Sequence, residues 1–168
     1  MKENFHITES YGLDVWVDNW GIGGAPGDKS HFLAYHPEAH MIYSNGEMHP
    51  YQVCLNAPSY RQFVREWLDT VAEMGGKTIF WDEPFIPTKR VDPTTSGPAI
   101  VPRYYCCCCD TCKQKFEERY HHPMPELLTP ETEEFRTDTI VEFCTEITEY
   151  SYSLGLKNAA CVMLGANL

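Results

Sequence analysis

Gly75-Gly76-Lys77-Thr78-Ile79-Phe80-Trp81-Asp82-Glu83-Pro84 is the stretch on which the reading of this chain turns. A glycine pair precedes a run of apolar, β-favouring residues, which delivers two adjacent carboxylates and stops at a proline. A buried parallel strand looks like this when it carries acidic side chains to the mouth of an α/β sheet or barrel. Immediately upstream, Tyr60, Phe63, Val64, Trp67, Leu68 and Val71 recur at helical spacing. They mark one face of an amphipathic helix that starts after Asn56-Ala57-Pro58-Ser59 and ends at the glycine pair.

Further out, Leu13-Asp14-Val15-Trp16-Val17-Asp18 alternates apolar and polar residues and reads as a strand. It runs into the glycine-rich loop Asn19-Trp20-Gly21-Ile22-Gly23-Gly24, whose spacing is not that of a dinucleotide fingerprint. Residues 25–58, with four prolines, read as irregular, and residues 84–105 as a second loop. Asp110 can cap a short helix carrying Cys112, Phe116 and Tyr120. Thr129-Pro130-Glu131 starts a long helix through Phe135, Ile140, Phe143, Ile147, Tyr150 and Leu154. Gly155 ends it, and residues 158–164 read as a last buried strand.

Strand, loop, helix, strand, insertion, helix, strand is the alternation of a parallel sheet with crossover helices. The fold class is therefore α/β. Three strands do not close a (β/α)₈ barrel, which takes roughly 200–250 residues, and the chain has 168. The expectation is one partial TIM-barrel domain over residues 1–168, with a cysteine-rich insertion at about 84–130. Open strand edges would invite a second chain completing the barrel, or a homo-oligomer.

The net charge of −11 comes from 24 acidic and 13 basic residues, with no basic patch, which argues against a nucleic-acid partner. Neither an apolar N-terminal run nor a stretch of some 18 apolar residues is present, so neither a secretory signal nor a membrane span is expected. The seven histidines form no recognisable ligand pair, and none is assigned to a metal.

Eight cysteines are distributed unevenly: Cys106, Cys107, Cys108, Cys109 and Cys112 crowd into seven positions, with Cys54, Cys144 and Cys161 elsewhere. Disulfide frameworks space their cysteines to staple distant loops, and neighbours hardly bridge each other. Metal ligation explains the crowding better, and it implies a reducing compartment, the cytoplasm. Four thiolates suit a structural zinc. Cys107-x-Cys109-x-x-Cys112 supplies three, and Cys54 is the choice for the fourth. Cys106-x-Cys108 is a competing pair, while Cys144 and Cys161 read as small core hydrophobes.

A lone cysteine before Asn56-Ala57-Pro58-Ser59-Tyr60-Arg61, the acidic pair Asp82-Glu83, and the C-x-C-x-x-C knuckle follow one another in this order. That order resembles the β-galactosidases of glycoside hydrolase family 42, over roughly residues 10–165. The resemblance implies a structural zinc on Cys54, Cys107, Cys109 and Cys112, beside the mouth of the barrel. It implies Glu83 as general acid/base at the end of a barrel strand, where Asp82 stands in place of the family's asparagine. The nucleophilic glutamate that it implies, on a later strand, has no counterpart up to Leu168. A carbohydrate substrate would meet Asp18, Trp20, Trp81 and Asp82, the tryptophans by stacking. The reaction expected is hydrolysis of a glycosidic bond; the other reading is a non-catalytic, zinc-stabilised carbohydrate-binding or assembly module.

Overall fold

The computed structural model describes residues 2–20, 32–82 and 104–161. Three strands form a parallel sheet: β1 (Trp16–Trp20), β4 (Thr78–Asp82) and β5 (Lys157–Cys161), in the order β1-β4-β5. The register sets Asp18 beside Phe80 and Phe80 beside Ala159, and it brings Trp20, Asp82 and Cys161 into line at the strand ends. The α/β expectation, with three parallel strands in chain order, holds.

Two helices cover one face of the sheet. Helix α3 (Pro58–Glu73) buries Tyr60, Val64, Leu68 and Val71, as the spacing predicts. Trp67 tilts against Trp81 at 6.1 Å, while Phe63, at the margin of the buried stripe, tilts against Phe32 of the short helix α2 (Phe32–Tyr35) at 4.8 Å. The helix stops at Gly75, whose φ of 90° suits glycine alone, and Gly76 then turns directly into β4. Helix α5 (Pro130–Ser153) starts at Thr129, which exchanges hydrogen bonds with Thr132 in a capping box. It buries Phe135, Phe143 and Ile147, and Tyr60 stacks on Phe143 to join α3 to α5. A first helix, α1 (Lys2–Ser10), precedes β1. No helix among the described residues is long and apolar enough to cross a membrane.

Residues 25–58 are not irregular throughout. After α2 and a 3-10 turn at Pro37–Ala39, β2 (His40–Ile42) and β3 (Met48–Val53) form an antiparallel hairpin. Its turn contains Asn45-Gly46, with Gly46 at φ 86°. Helix α4 (Asp110–Tyr120) carries Cys112, Phe116 and Tyr120, but its N-cap position is held by Cys109, and Asp110 is already helical. The last strand begins at Lys157 and is described to Cys161; residues 162–164 of the expected strand lie outside the described residues.

The α3–β4 junction leaves no room for a side chain. A Cβ on Gly76 would come within 2.4 Å of Val71 Cγ1 and 3.0 Å of the Val71 carbonyl oxygen. Gly76→Ala is expected to destabilise the fold by about 1–3 kcal/mol, more than Thr129→Ala, which removes one cap for about 1 kcal/mol. Urea midpoints at unchanged m-value test both.

Candidate metal centre

The sulfurs of Cys54, Cys107, Cys109 and Cys112 all lie within 4.8 Å of one another. Cys54 Sγ stands 3.4 Å from Cys112 Sγ and 3.5 Å from Cys109 Sγ. Disulfide sulfurs sit near 2.05 Å, so these are free thiols. Sulfurs around a tetrahedral zinc stand about 3.8 Å apart, close to what is seen. No histidine joins the cluster among the described residues. The four side chains could hold one metal ion, and with four ligands from the protein such a site has no position left for substrate.

Each ligand is placed by local structure. Cys54 follows the last residue of β3, and its backbone N–H donates to the Ala39 carbonyl at 2.7 Å. Segment 105–108 lies along the hairpin: Cys108 N–H donates to Ile42 O at 2.7 Å, and Ser44 N–H to Tyr105 O at 2.8 Å. Cys107 and Cys109 join Cys54, while Cys106 and Cys108 stay outside the four-sulfur group, Cys108 Sγ donating to Tyr105 O at 3.7 Å. Of the two competing cysteine pairs, it is Cys107 and Cys109 that enter the cluster. Arg136 of α5 holds the segment from the other side, its Nε donating to Cys106 O at 2.6 Å. Cys112 sits in the first turn of α4, where backbone N–H groups favour a thiolate.

Electrostatics separates the two groups of cysteines. Burial pushes the Cys106 and Cys108 thiols up to about 12, so both stay protonated. Close contact with the Cys107, Cys112 and Cys54 sulfurs draws Cys109 far below the ordinary thiol range. Cys54 and Cys112 are pushed well above it, chiefly by their contacts with Cys107 and Cys109. Ionising all four buried thiols together is costly unless a cation stands among the sulfurs.

The other site residues lie at the end of the sheet. Trp81 is 3% exposed, faces α3, and donates its indole N–H to Asn158 Oδ1 at 2.9 Å, so it belongs to the core and not to a stacking surface. By strand alternation Asp82 faces the opposite side, away from the helices. Asp18 shares that face, as do Trp16, 54% exposed, and Phe80, whose rings are 6.0 Å apart. Burial, then the Asp82 charge, raises the Asp18 carboxyl above its usual range. Trp20 pairs with Asp82 through its backbone; its side chain, and the whole of Glu83, lie outside the described residues. Cys144 packs against the core as expected, whereas Cys161 ends β5 in register with Asp82.

No family model matches this chain, and no curated protein matches it.

Two outcomes follow from the geometry. Elemental analysis should find one divalent metal per chain, lost in Cys112→Ser and retained in Cys106→Ala and Cys108→Ala. Asp18 has a raised folded-state pKa, so its ionisation opposes folding. The penalty is absent below about pH 4, where the carboxyl is protonated folded or unfolded, and complete above the folded-state pKa. Asp18→Asn should therefore raise the urea midpoint at pH 7 and leave it unchanged at pH 3.

Proposed function

We propose that the chain is a zinc-stabilised portion of a (β/α)₈ glycosidase barrel, acting on a glycosidic bond with Glu83 as general acid/base. The observation that carries the reading is the meeting of Cys54 with Cys107, Cys109 and Cys112. Those four are the positions that the resemblance to glycoside hydrolase family 42 selects, although 53 to 58 residues separate Cys54 from the knuckle. The parallel strands support it as well: β1, β4 and β5 neighbour one another in chain order, as barrel strands do. Zinc is the metal that fits four buried thiolates with no histidine or carboxylate among them.

In this reading the zinc is structural and takes no part in the reaction. It ties the hairpin to the knuckle at the end of the sheet where the strands finish and substrates of parallel α/β folds bind. Glu83 follows the last residue of β4. Its carboxyl protonates the leaving glycosidic oxygen, and its carboxylate then takes a proton from water. Retention of configuration needs a second carboxylate about 5–5.5 Å away, contributed on this reading by polypeptide outside these 168 residues. Asp18 and Asp82, on the face turned away from α3 and α5, would accept hydrogen bonds from sugar hydroxyls, and Trp20 would stack on a sugar ring.

The non-catalytic reading has an observation of its own. Trp16, half exposed beside Phe80 and on the same face as Asp18, makes a platform of the kind that stacks on a sugar face without any chemistry.

A panel of nitrophenyl glycosides separates the two. Turnover that Glu83→Gln lowers by 10²-fold or more supports the hydrolase. Sugar binding without turnover, in a protein that holds its zinc, supports the platform. A chain that binds no zinc overturns both.

A further inference from the structure

We infer that Asn56, backed by Arg61 and Lys115, is the residue that stabilises the negative charge of the four-sulfur centre and sets its affinity for metal. The inference rests on the metal reading above and concerns residues beyond the four ligands. Asn56 is buried at 4% exposure and touches two of the four sulfurs. Its backbone N–H donates to Cys54 Sγ at 3.3 Å, and its side-chain Nδ2–H donates to Cys112 Sγ at 3.4 Å. The same Nδ2 reaches Thr139 Oγ1 at 3.4 Å. On the other side, Oδ1 accepts from Arg61 Nη2 at 3.2 Å and from Lys115 Nζ at 3.0 Å.

The orientation of that amide is not arbitrary. Arginine and lysine have donors and no acceptor, so an oxygen must face them. Turning the amide over would set two donors against two cations and an oxygen against Cys112. The N–H must therefore point at the sulfur, and a donor aimed at a buried sulfur suits a thiolate, not a thiol with a proton of its own to place. Four thiolates around a divalent ion carry two negative charges in excess, which burial makes costly unless donors or cations answer them. The two N–H groups of Asn56 answer at the sulfurs themselves. The cations polarise the amide in the same sense, since positive charge at Oδ1 strengthens the donor at Nδ2.

Arg61 and Lys115 are themselves held in place. Arg61 Nε donates to Leu55 O at 2.8 Å, and Arg61 pairs with Glu142 at 3.1 Å and with Glu146. Lys115 pairs with Glu142 at 3.1 Å. The line from Cys112 through Asn56 to Glu142 thus joins α4, α3 and α5 at the metal centre. Outer partners of this kind are worth 10–100-fold in metal affinity.

The test replaces Asn56 with leucine, which is near in size and has no donor in its side chain. Zinc affinity is measured by competition with a chromophoric chelator. The cobalt-substituted protein reports on the sulfurs directly, because a hydrogen bond to a thiolate lowers its lone-pair energy and raises the sulfur-to-cobalt charge-transfer energy. Expected for Asn56→Leu is a 10–100-fold loss of affinity and a charge-transfer band moved to longer wavelength. Lys115→Met, at a partly exposed position, should move the band the same way by less, and it carries the test if Asn56→Leu does not fold. Affinity within twofold of the parent, with an unmoved band in the variants that fold, overturns the inference and leaves the metal site standing. Failure of the parent to bind zinc or cobalt at all overturns the metal site instead.

Discussion

Four sulfur atoms from two separate parts of the chain occupy a space under 5 Å across, and the surrounding structure is arranged to keep them there. Thiols packed so closely either share protons or surround a cation. The second needs no rearrangement, because the sulfur separations already approach those of a tetrahedral centre. The Cys54 turn, the 105–108 segment along the hairpin and the start of α4 each place one or two sulfurs, and buried side chains such as Met41, Leu55, Tyr105 and Phe116 pack around them.

The αβ unit at the centre of the fold was legible from sequence because every level of signal agreed. The apolar stripe of α3, the glycine stop and the β-favouring run of β4 all point to one local structure, and Gly76 packs against Val71 where a side chain has no room. The Thr129 start of α5 was legible for the same reason. A thiol cluster was legible too, since crowding of this kind has few physical explanations. The sequence could not say whether Cys107 and Cys109 or Cys106 and Cys108 join Cys54 and Cys112. That choice is made by two hydrogen bonds to the hairpin, at Ile42 and Ser44, and no local propensity contains them.

The hairpin itself was hidden by its strands. β2 is three residues long, and β3 contains His49, Pro50 and an exposed tyrosine, so neither shows alternating hydrophobicity. The one available signal was Asn45-Gly46, a dipeptide that favours the left-handed conformation a tight turn needs. The side-chain parity of β4 was missed for another reason. Trp81 and Asp82 are adjacent, and which one faces the helices follows from where Trp67 and Asn158 stand to receive the indole. Tertiary packing sets that parity. It puts Asp82 with Asp18 on the face turned away from α3 and α5, with the aromatic rings of Trp16 and Phe80.

Seen along the chain, the metal centre joins two long excursions from one compact sheet. The first leaves β1 after Trp20 and returns at Pro58; the second leaves β4 after Asp82 and rejoins a helix at Pro130. Cys54 belongs to the first and Cys107, Cys109 and Cys112 to the second. Closing a loop between Cys54 and Cys112 costs chain entropy that grows only slowly with length, so one strong cross-link can hold both excursions at once. Core residues of both excursions, among them Phe32, Met41, Val53, Leu55 and Phe116, spread the same task over many contacts. A cation held by the four sulfurs would act on both connections through a single point, at the Cys54 turn and at the start of α4.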